Sequence, residues 1–580
     1  MVSSKMDSAD DGHPVRPPGF YEAVKQRFAE ERDRRVELHP EGVEQFTSDL
    51  VGSFARYDDD PYAPPAPPRE PLTDTVDVLI IGAGFSALLA SVGLRAQGVE
   101  AIRLVERGAD VAGTWYWNRY PGVACDVVSY DYLPLLDEMR YVPSRHYPPG
   151  EEIFRHCQAI ARKYRLYDSA LFQTTVTEAV WQPAERMWLV KTDRHDAMRA
   201  RFLIAATGTL TKPKLARIEG MERFRGQSFH TSRWDYDYTG KNLENLSDKV
   251  VAVIGTGASA VQIIPNVGST AKELYVFQRT PSSIDIRPDF ETDPVWAASL
   301  KPGWQAARRE KALKQPPFGV LPIDGARDLT KDERRRKEEE ANIEYMMRIH
   351  KRIDEVVVDP ATAEALKPWY KYMCKRPCFH NEYLPTFNRP NVHLIDTKGR
   401  GVTEISELGP VFDGREYPVD LLIYATGFDF FKVGPRNAIV GEGGVELKEK
   451  YAKGVRTLLG VHTHGFPNLF IMGGLQASFQ FNMSFALQIQ ADHIAACVGL
   501  VLRRGASIIE ATADAEEWWV NEVLSYGGSV LNNPDCTPGY YNDYGRPRLP
   551  QNRTYDGGFP KYIEYLESSR NSPDRYFDIQ

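Results

Sequence analysis

The chain is predicted to be an α/β protein built on two Rossmann-like dinucleotide-binding units, on three observations. A strand, glycine turn, helix and second strand run from Val76 (VDVLIIGAGFSALLASVGLRAQGVEAIRLVER). The same order repeats from Lys249 (KVVAVIGTGASAVQIIPNVGSTAKELYVFQRT). Ala206-Thr207-Gly208 and Ala425-Thr426-Gly427 each follow an apolar strand, where each reads either as a crossing between the two units or as any strand-ending turn. A strand that leads through a glycine turn into a helix returns parallel to itself, so each unit should hold a parallel sheet.

In chain order, residues 1–75 read as an extension. Tyr21–Phe54 has helical spacing and abundant charge, and 58–71 (DDDPYAPPAPPREP) is a Pro-rich, extended linker. Two outcomes stay open for it, wrapping over the main body or remaining a disordered tail. Residues 76–212 form the first part of the first nucleotide domain. Residues 213–389 form the second, with a helical insertion at about 282–372 whose clearest helix lies in ARDLTKDERRRKEEEANIEYMMRIHKRIDEVV. Residues 390–580 return to the first domain and form the C-terminal region, with strands in NVHLIDT, DLLIYATGFD and GFPNLFIMGG and a helix from about Met483. Val76–Leu94 is apolar enough to mimic a membrane span, but Gly82, Ala83, Gly84 and Gly93 fit the turn-and-helix pattern better, so no span is expected.

Composition bounds the partners. With 580 residues there is chain for three or four domain-sized units. A net charge of −8 offers no general attraction for nucleic acid or an anionic membrane. The basic run Arg334–Lys337 leads into Glu338–Glu340 and reads as a solvated helix face. The six cysteines show no zinc-type set beyond Cys374/Cys378, whose partners are missing, so no metal is expected. So few cysteines, and a polar N-terminus without a signal core, point to a reduced, cytoplasmic setting. Oligomeric state is not legible.

The glycine turns carry the chemistry. In the first, Gly82 permits the tight turn and Gly84 lets a pyrophosphate approach a helix N-terminus. Ala87 takes the position where helix packs on strand, and Glu106 ends the next strand where an acid binds a ribose 2′-hydroxyl. The second turn is Gly255-Thr256-Gly257-Ala258-Ser259-Ala260, with Gln262 further along the helix. Its next strand ends not in an acid but in Arg279-Thr280. An arginine pairs with a 2′-phosphate that an acid would repel, so this site selects NADPH. The competing reading of Arg279 is a surface arginine at a strand end.

Between the units stands Phe224-Arg225-Gly226-Gln227-Ser228-Phe229-His230-Thr231-Ser232-Arg233-Trp234-Asp235. Upstream lie Ala112, Gly113, Trp115, Tyr120, Pro121, Gly122 and Asp126. With the two glycine turns, these segments resemble the fingerprints of the Baeyer–Villiger monooxygenases, over roughly residues 76–550. The resemblance implies FAD in the first domain and NADPH in the second. It implies a small-molecule ketone and O2 as substrates, and an ester or lactone as product by way of a C4a-peroxyflavin.

The family's roles carry over as follows. Arg376, in Cys374-Lys375-Arg376-Pro377, resembles the arginine that stabilises the peroxide and the ketone-derived oxyanion. Asp126 resembles the carboxylate that orients it, and Lys375 the lysine that reaches the NADPH phosphate. Phe224, Gly226, His230, Trp234 and Asp235 belong to the link between domains, with His230 positioning rather than titrating. Thr114, Trp115, Tyr116, Trp117 and Tyr132 lie along the FAD, and Val176 resembles a backbone contact to the adenine. Against these stand plainer readings. Arg376 would be a surface cation, Asp126 a helix cap, His230 a satisfied core histidine and the aromatics ordinary core.

Gly473-Gly474-Leu475-Gln476-Ala477-Ser478 departs from many relatives. Together with the long extension and Cys536–Asn542, in which Tyr540 either lines the pocket or packs a loop, it looks more like the branch acting on bulky macrocyclic, steroid or terpenoid ketones. A sulfur- or nitrogen-oxidising flavin monooxygenase is the neighbouring alternative, and a non-catalytic flavoprotein the one from another class. A disulfide reductase would need a cysteine pair where Cys125 stands alone.

Overall fold

The computed structural model describes residues 16–314, 321, 323, 329–429, 438–478, 480, 482–526, 533–546 and 548–580. The first unit centres on a seven-stranded sheet. Thr75–Ile81 pairs in parallel with Ile102–Val105 on one side (Val78 opposite Ile102) and with Ala197–Ala205 on the other (Ile80 opposite Ile204). Val176–Gln182, Met187–Thr192 and Ala197–Ala205 form an antiparallel meander. Leu469–Ile471 joins the far half of Ala197–Ala205 in parallel, which closes the unit from the C-terminal part of the chain.

Helices cover this sheet. Phe85–Ala96 packs on Met483–Arg503, and a Cβ at Gly93 would lie 3.1 Å from the Ala495 Cβ, so the approach is close. The apolar stretch Val76–Leu94 is therefore a core strand, a turn and a core helix. Among the described residues Met483–Arg503 is the one helix long and apolar enough to cross a membrane, and it too forms part of this core.

The second unit has five strands, all parallel, in the order Val392–Asp396, Glu273–Gln278, Val250–Ile254, Leu421–Tyr424, Gln227–His230. This corrects the expected boundary at 389. Leu421–Tyr424 sits in mid-sheet, with Leu421 opposite both Val251 and Gln227, so the chain leaves this unit only at Ala425–Gly427. Of the insertion, Pro294–Ser299, Trp304–Leu313, Lys331–Val356 and Pro360–Leu366 are helical. The long helix starts at a capping box in which Thr330 and Glu333 satisfy each other's backbone N–H groups. Residues 315–320, 322 and 324–328 of the insertion lie outside the described residues. Arg335 and Arg336 pair with Glu339 and Glu340 one turn on, as a solvated face does.

From residue 16 the extension wraps the body; residues 1–15 lie outside the described residues. Its helix is Phe20–Leu38, shorter than the predicted helical stretch. Val24 and Phe28 bury against Met346, Tyr370 and Cys374. Phe46–Thr47 then pairs antiparallel with Leu215–Ala216, and the linker returns Tyr62 to the Tyr116 ring at 6.2 Å. One cysteine expectation is corrected. Cys374 and Cys536 form a disulfide, their Cα atoms 5.1 Å apart, because the C-terminal loop is laid against the Lys375 segment. Cys125, Cys157, Cys378 and Cys497 are free and buried.

Candidate active site

A cleft of about 1180 Å³ is lined by both glycine turns, both Ala-Thr-Gly turns, the Lys375-Arg376 pair and the loop Gly539–Tyr541. The two turns are built alike. Gly82 has φ +112° and Gly255 φ +111°. A Cβ on the first would lie 2.6 Å from the Ala206 carbonyl oxygen, and on the second 2.5 Å from that of Ala425. No residue but glycine fits either place, so each cradle is pressed onto its own Ala-Thr-Gly turn. Gly84 and Gly257 cap the helices Phe85–Ala96 and Ala258–Thr270 without any side-chain cap bond, which leaves the first N–H groups for an anion in the cleft.

At the first cradle Glu106 accepts from Ala83 N at 2.8 Å and Gly108 N at 2.7 Å. Burial pushes its pKa up and these two N–H groups pull it back. Val176 lines the same wall with Thr174 and Thr175. Trp115 donates to the Tyr132 hydroxyl at 3.1 Å, and both face the cleft with Thr114 and Trp117. Tyr116 does not, which corrects its predicted place along the flavin. The short helix Thr114–Trp117 presents only part of its circumference to the cleft. Tyr116 points to the linker, donating to Asp60 at 2.6 Å beneath the Arg119 guanidinium.

The donor set fits two dinucleotides. At the second cradle Thr256, Gly257, Ala258, Ser259, Gln262, Arg279, Thr280 and Lys375 all line the cleft. Arg279 is half-buried and donates to the Gln45 side chain; Lys375 donates to the Pro538 carbonyl at 2.8 Å. Burial, and then the charges of Arg279 and Arg35, push the Lys375 pKa down to about 7. Such crowded cations are arranged for an anion. Gln262 also ties the units together, donating to Ala124 O at 2.8 Å and accepting from Tyr120 at 3.0 Å. Ala87 and Ala260 do not line the cleft; both are fully buried where helix packs on strand.

Arg376 and Asp126 meet across the cleft. Nη2 donates to Oδ1 at 2.6 Å and Nε to Oδ2 at 3.1 Å, a fork that fixes the guanidinium plane. Burial alone would lower the Arg376 pKa. Asp126, and then the neighbouring Tyr541 and Tyr540, offset that and hold it well above its ordinary value.

The segment Phe224–Asp235 stands behind the site and none of its residues lines the cleft. Trp234 is fully buried, donates to Thr239 Oγ1 at 3.1 Å and packs on Phe229. Asp235 caps the next helical turn through Tyr238 N at 2.9 Å. A Cβ at Gly226 would meet the Phe224 ring at 2.5 Å and Asp420 O at 2.7 Å. His230 contacts Ser232 through Nδ1 at 2.8 Å, and burial pushes its pKa down to about 3, so it stays neutral. The segment links the units through Arg233, whose guanidinium lies 4.1 Å from the Trp117 ring centroid and reaches Asp58 at 3.2 Å. Arg233 occupies a variable place in the pattern and carried no signal. Gln45, Phe46, Lys214, Tyr541 and Tyr544 also line the cleft unannounced; they lie far from both glycine turns in the chain. Tyr540 lines it, whereas Gln476 is buried, its amide bonded to Thr457 and Val455.

Two facing cradles and a fixed arginine define a flavoprotein with two dinucleotide-binding domains. In agreement, residues 79–315 match the family described as pyridine nucleotide-disulphide oxidoreductase, which is less than half of the chain. The chain is 45% identical to neopentalenolactone D synthase of Streptomyces avermitilis, over 95% of this chain and 98% of that one. It is 42% identical to a Baeyer–Villiger monooxygenase of Streptomyces coelicolor, over 95% and 96%. The structure matches that of the polycyclic ketone monooxygenase from the thermophilic fungus Thermothelomyces thermophila with a TM-score of 0.90 and 33% identity, covering 96% of this chain and 99% of that one. The chain belongs to the Baeyer–Villiger monooxygenase family, and it is an NADPH-dependent FAD enzyme that oxidises ketones.

Proposed function

We propose that the substrate is a bulky, polycyclic ketone, converted to a lactone or ester, and that Arg376 and Asp126 carry the chemistry. The name of one relative, a polycyclic ketone monooxygenase, supports the substrate size, and that of another, a lactone synthase, supports the product. The observation that carries the site reading is the forked Arg376–Asp126 pair in a cleft shared by both cradles.

When bound, reduced FAD supplies activated oxygen from O2, with NADPH as the hydride source. The protein's part is charge, orientation and dryness. Arg376 offers a permanent positive charge to the oxyanion that forms as oxygen attacks the carbonyl carbon. Asp126 holds the guanidinium plane. Cys125, Cys378, Tyr540 and Tyr541 surround the pair, and burial pushes the pKa of each up. At neutral pH this end of the cleft therefore presents a fixed cation and hydrogen-bond donors rather than an acid. Glu106 and the first cradle would hold FAD; Arg279 and Lys375 would hold the NADPH 2′-phosphate. We place the enzyme in the cytoplasm, where NADPH is supplied, and the four buried free thiols accord with that; the single disulfide is the feature that runs against it.

A panel of ketones from small rings to polycyclic terpenoids, with products identified by mass spectrometry, tests the substrate reading. Faster turnover of polycyclic ketones is expected; a clear preference for small rings would overturn it.

A further inference from the structure

The extension reaches the second cradle and grips it. Arg35 is buried and held by Glu31 at 2.6 Å; it donates to the Arg279 carbonyl and, at 3.2 Å, to Thr280 Oγ1. The Gln45 side-chain oxygen accepts from Arg279 Nη1. The Gln45 amide nitrogen donates to Gly42 O at 2.6 Å, so the oxygen is kept turned toward the arginine. The Gln45 backbone is fixed as well, because its carbonyl accepts from Arg217 N at 2.9 Å. Phe46 completes the seat. Its ring centroid lies 5.1 Å from the Arg279 guanidinium and 4.5 Å from Lys214 Nζ, and the ring packs on Tyr544 at 4.8 Å. The backbone carbonyl, the guanidinium face and one donor edge of Arg279 are thus set by a segment far away in the chain.

We propose that Gln45, backed by Phe46, is a positioning residue for Arg279, and that the extension thereby sets the choice of NADPH over NADH. This rests on the reading of Arg279 as the 2′-phosphate ligand. A guanidinium has five N–H donors. An amide oxygen occupies one without cancelling the charge, and Arg279 itself lines the cleft. An arginine pre-ordered in this way loses little side-chain entropy when the phosphate arrives. A carboxylate at the same place would compete with the phosphate, and an aliphatic side chain would leave the arginine unguided.

Calorimetric titration of the full-length, FAD-loaded enzyme with NADP+ and with NAD+ tests this. Gln45→Leu should weaken NADP+ binding about tenfold, the size of one lost hydrogen bond to a charged group, and leave NAD+ binding unchanged. Gln45→Glu should weaken NADP+ further. Arg279→Ala should lower the discrimination further, to the share that Lys375 supplies, and adding Gln45→Leu to it should change nothing more. Equal weakening of NADP+ and NAD+ by Gln45→Leu would mark a merely structural role and overturn the proposal. So would full additivity with Arg279→Ala. If Arg279→Ala lowers the discrimination while Gln45→Leu leaves it at the wild-type value, the proposal alone falls. If Arg279→Ala leaves the discrimination intact, the phosphate reading falls and takes the proposal with it.

Discussion

Arg376 and Asp126, 250 positions apart in the chain, form a forked ion pair with contacts of 2.6 and 3.1 Å that joins the second unit to the first inside the cleft. The pair sets the direction of a charge as well as its presence. Arg376→Ala should still bind FAD and oxidise NADPH, but ester formation should fall by roughly 100- to 1000-fold, the usual cost of one oxyanion-stabilising group. Arg376→Lys should recover little, since an ammonium cannot form the fork. Product analysis beside NADPH consumption checks this; normal ester yield from Arg376→Ala would end the assignment.

Asp126→Asn tests orientation separately from charge. The side chain keeps its size but loses its negative charge and one acceptor, so the guanidinium can leave its plane. Ester formation should fall less than in Arg376→Ala, and the double variant should be no worse than Arg376→Ala alone, because the two act as one unit. A fully additive double variant would show that Asp126 acts elsewhere.

Much of this was legible because local chemistry dictates it. Gly82 and Gly255 each adopt a positive φ against a carbonyl, so a glycine is forced and the turn shows in the sequence. The Lys375-Arg376 pair shows in the sequence only by its resemblance to the family's Lys-Arg pair, since no local geometry demands it. What stayed hidden depends on long-range contact. Leu421–Tyr424 reads as a strand but not as the middle of the second sheet, since only its pairing with Val250–Ile254 places it there. Tyr116 reads like its neighbours Trp115 and Trp117, and only Asp60 of the linker reveals that it faces away. Gln45 and Phe46 sit in a segment with no motif at all.

Lys375 predicts a pH dependence of NADP+ binding. Its pKa lies at about 7 in the structure because burial and two nearby guanidiniums disfavour the charged form. A bound 2′-phosphate favours that form and raises the pKa. Above pH 7 binding must therefore take up a proton, and affinity should fall as pH rises from 7 toward 9, by at most about tenfold per unit. NAD+ binding should show no such slope, and Lys375→Met should remove it for NADP+. Calorimetry in buffers of different ionisation enthalpy measures the proton uptake directly; none at pH 8 would contradict the assignment.

Three buried histidines predict acid lability. His462 and His493 share a hydrogen bond between their Nε2 atoms at 2.8 Å, so one donates and one accepts. Burial pushes His462 and His230 down to about 3 and His493 well below its ordinary value. The unfolded chain binds protons near pH 6.5, so the folded state is fully favoured above that pH and loses stability as pH falls toward 3. Each group contributes a slope of at most about 1.4 kcal/mol per pH unit. Urea unfolding between pH 7 and 5 should show the loss, and replacing His462 and His493 with leucine should reduce the slope. A flat profile would show that these rings already titrate in the folded protein.

The Cys374–Cys536 disulfide predicts a thiol count and a stability change. Four thiols should react in the denatured, unreduced protein and six after reduction. The bridge spans 162 positions, so on chain entropy alone its loss costs at most about 5 kcal/mol. The observed loss should be smaller. The Lys375–Pro538 hydrogen bond and the packing of Val24 and Phe28 against this region hold the same loop. Cys536→Ser should lower the melting temperature and also raise the fraction of NADPH oxidised without ester formation, because the bridge anchors the loop that sets Tyr540 and Tyr541 beside Arg376. A variant that melts earlier but keeps full coupling would confine the bridge to stability. Six reactive thiols before reduction would show that the bridge does not form in the purified enzyme.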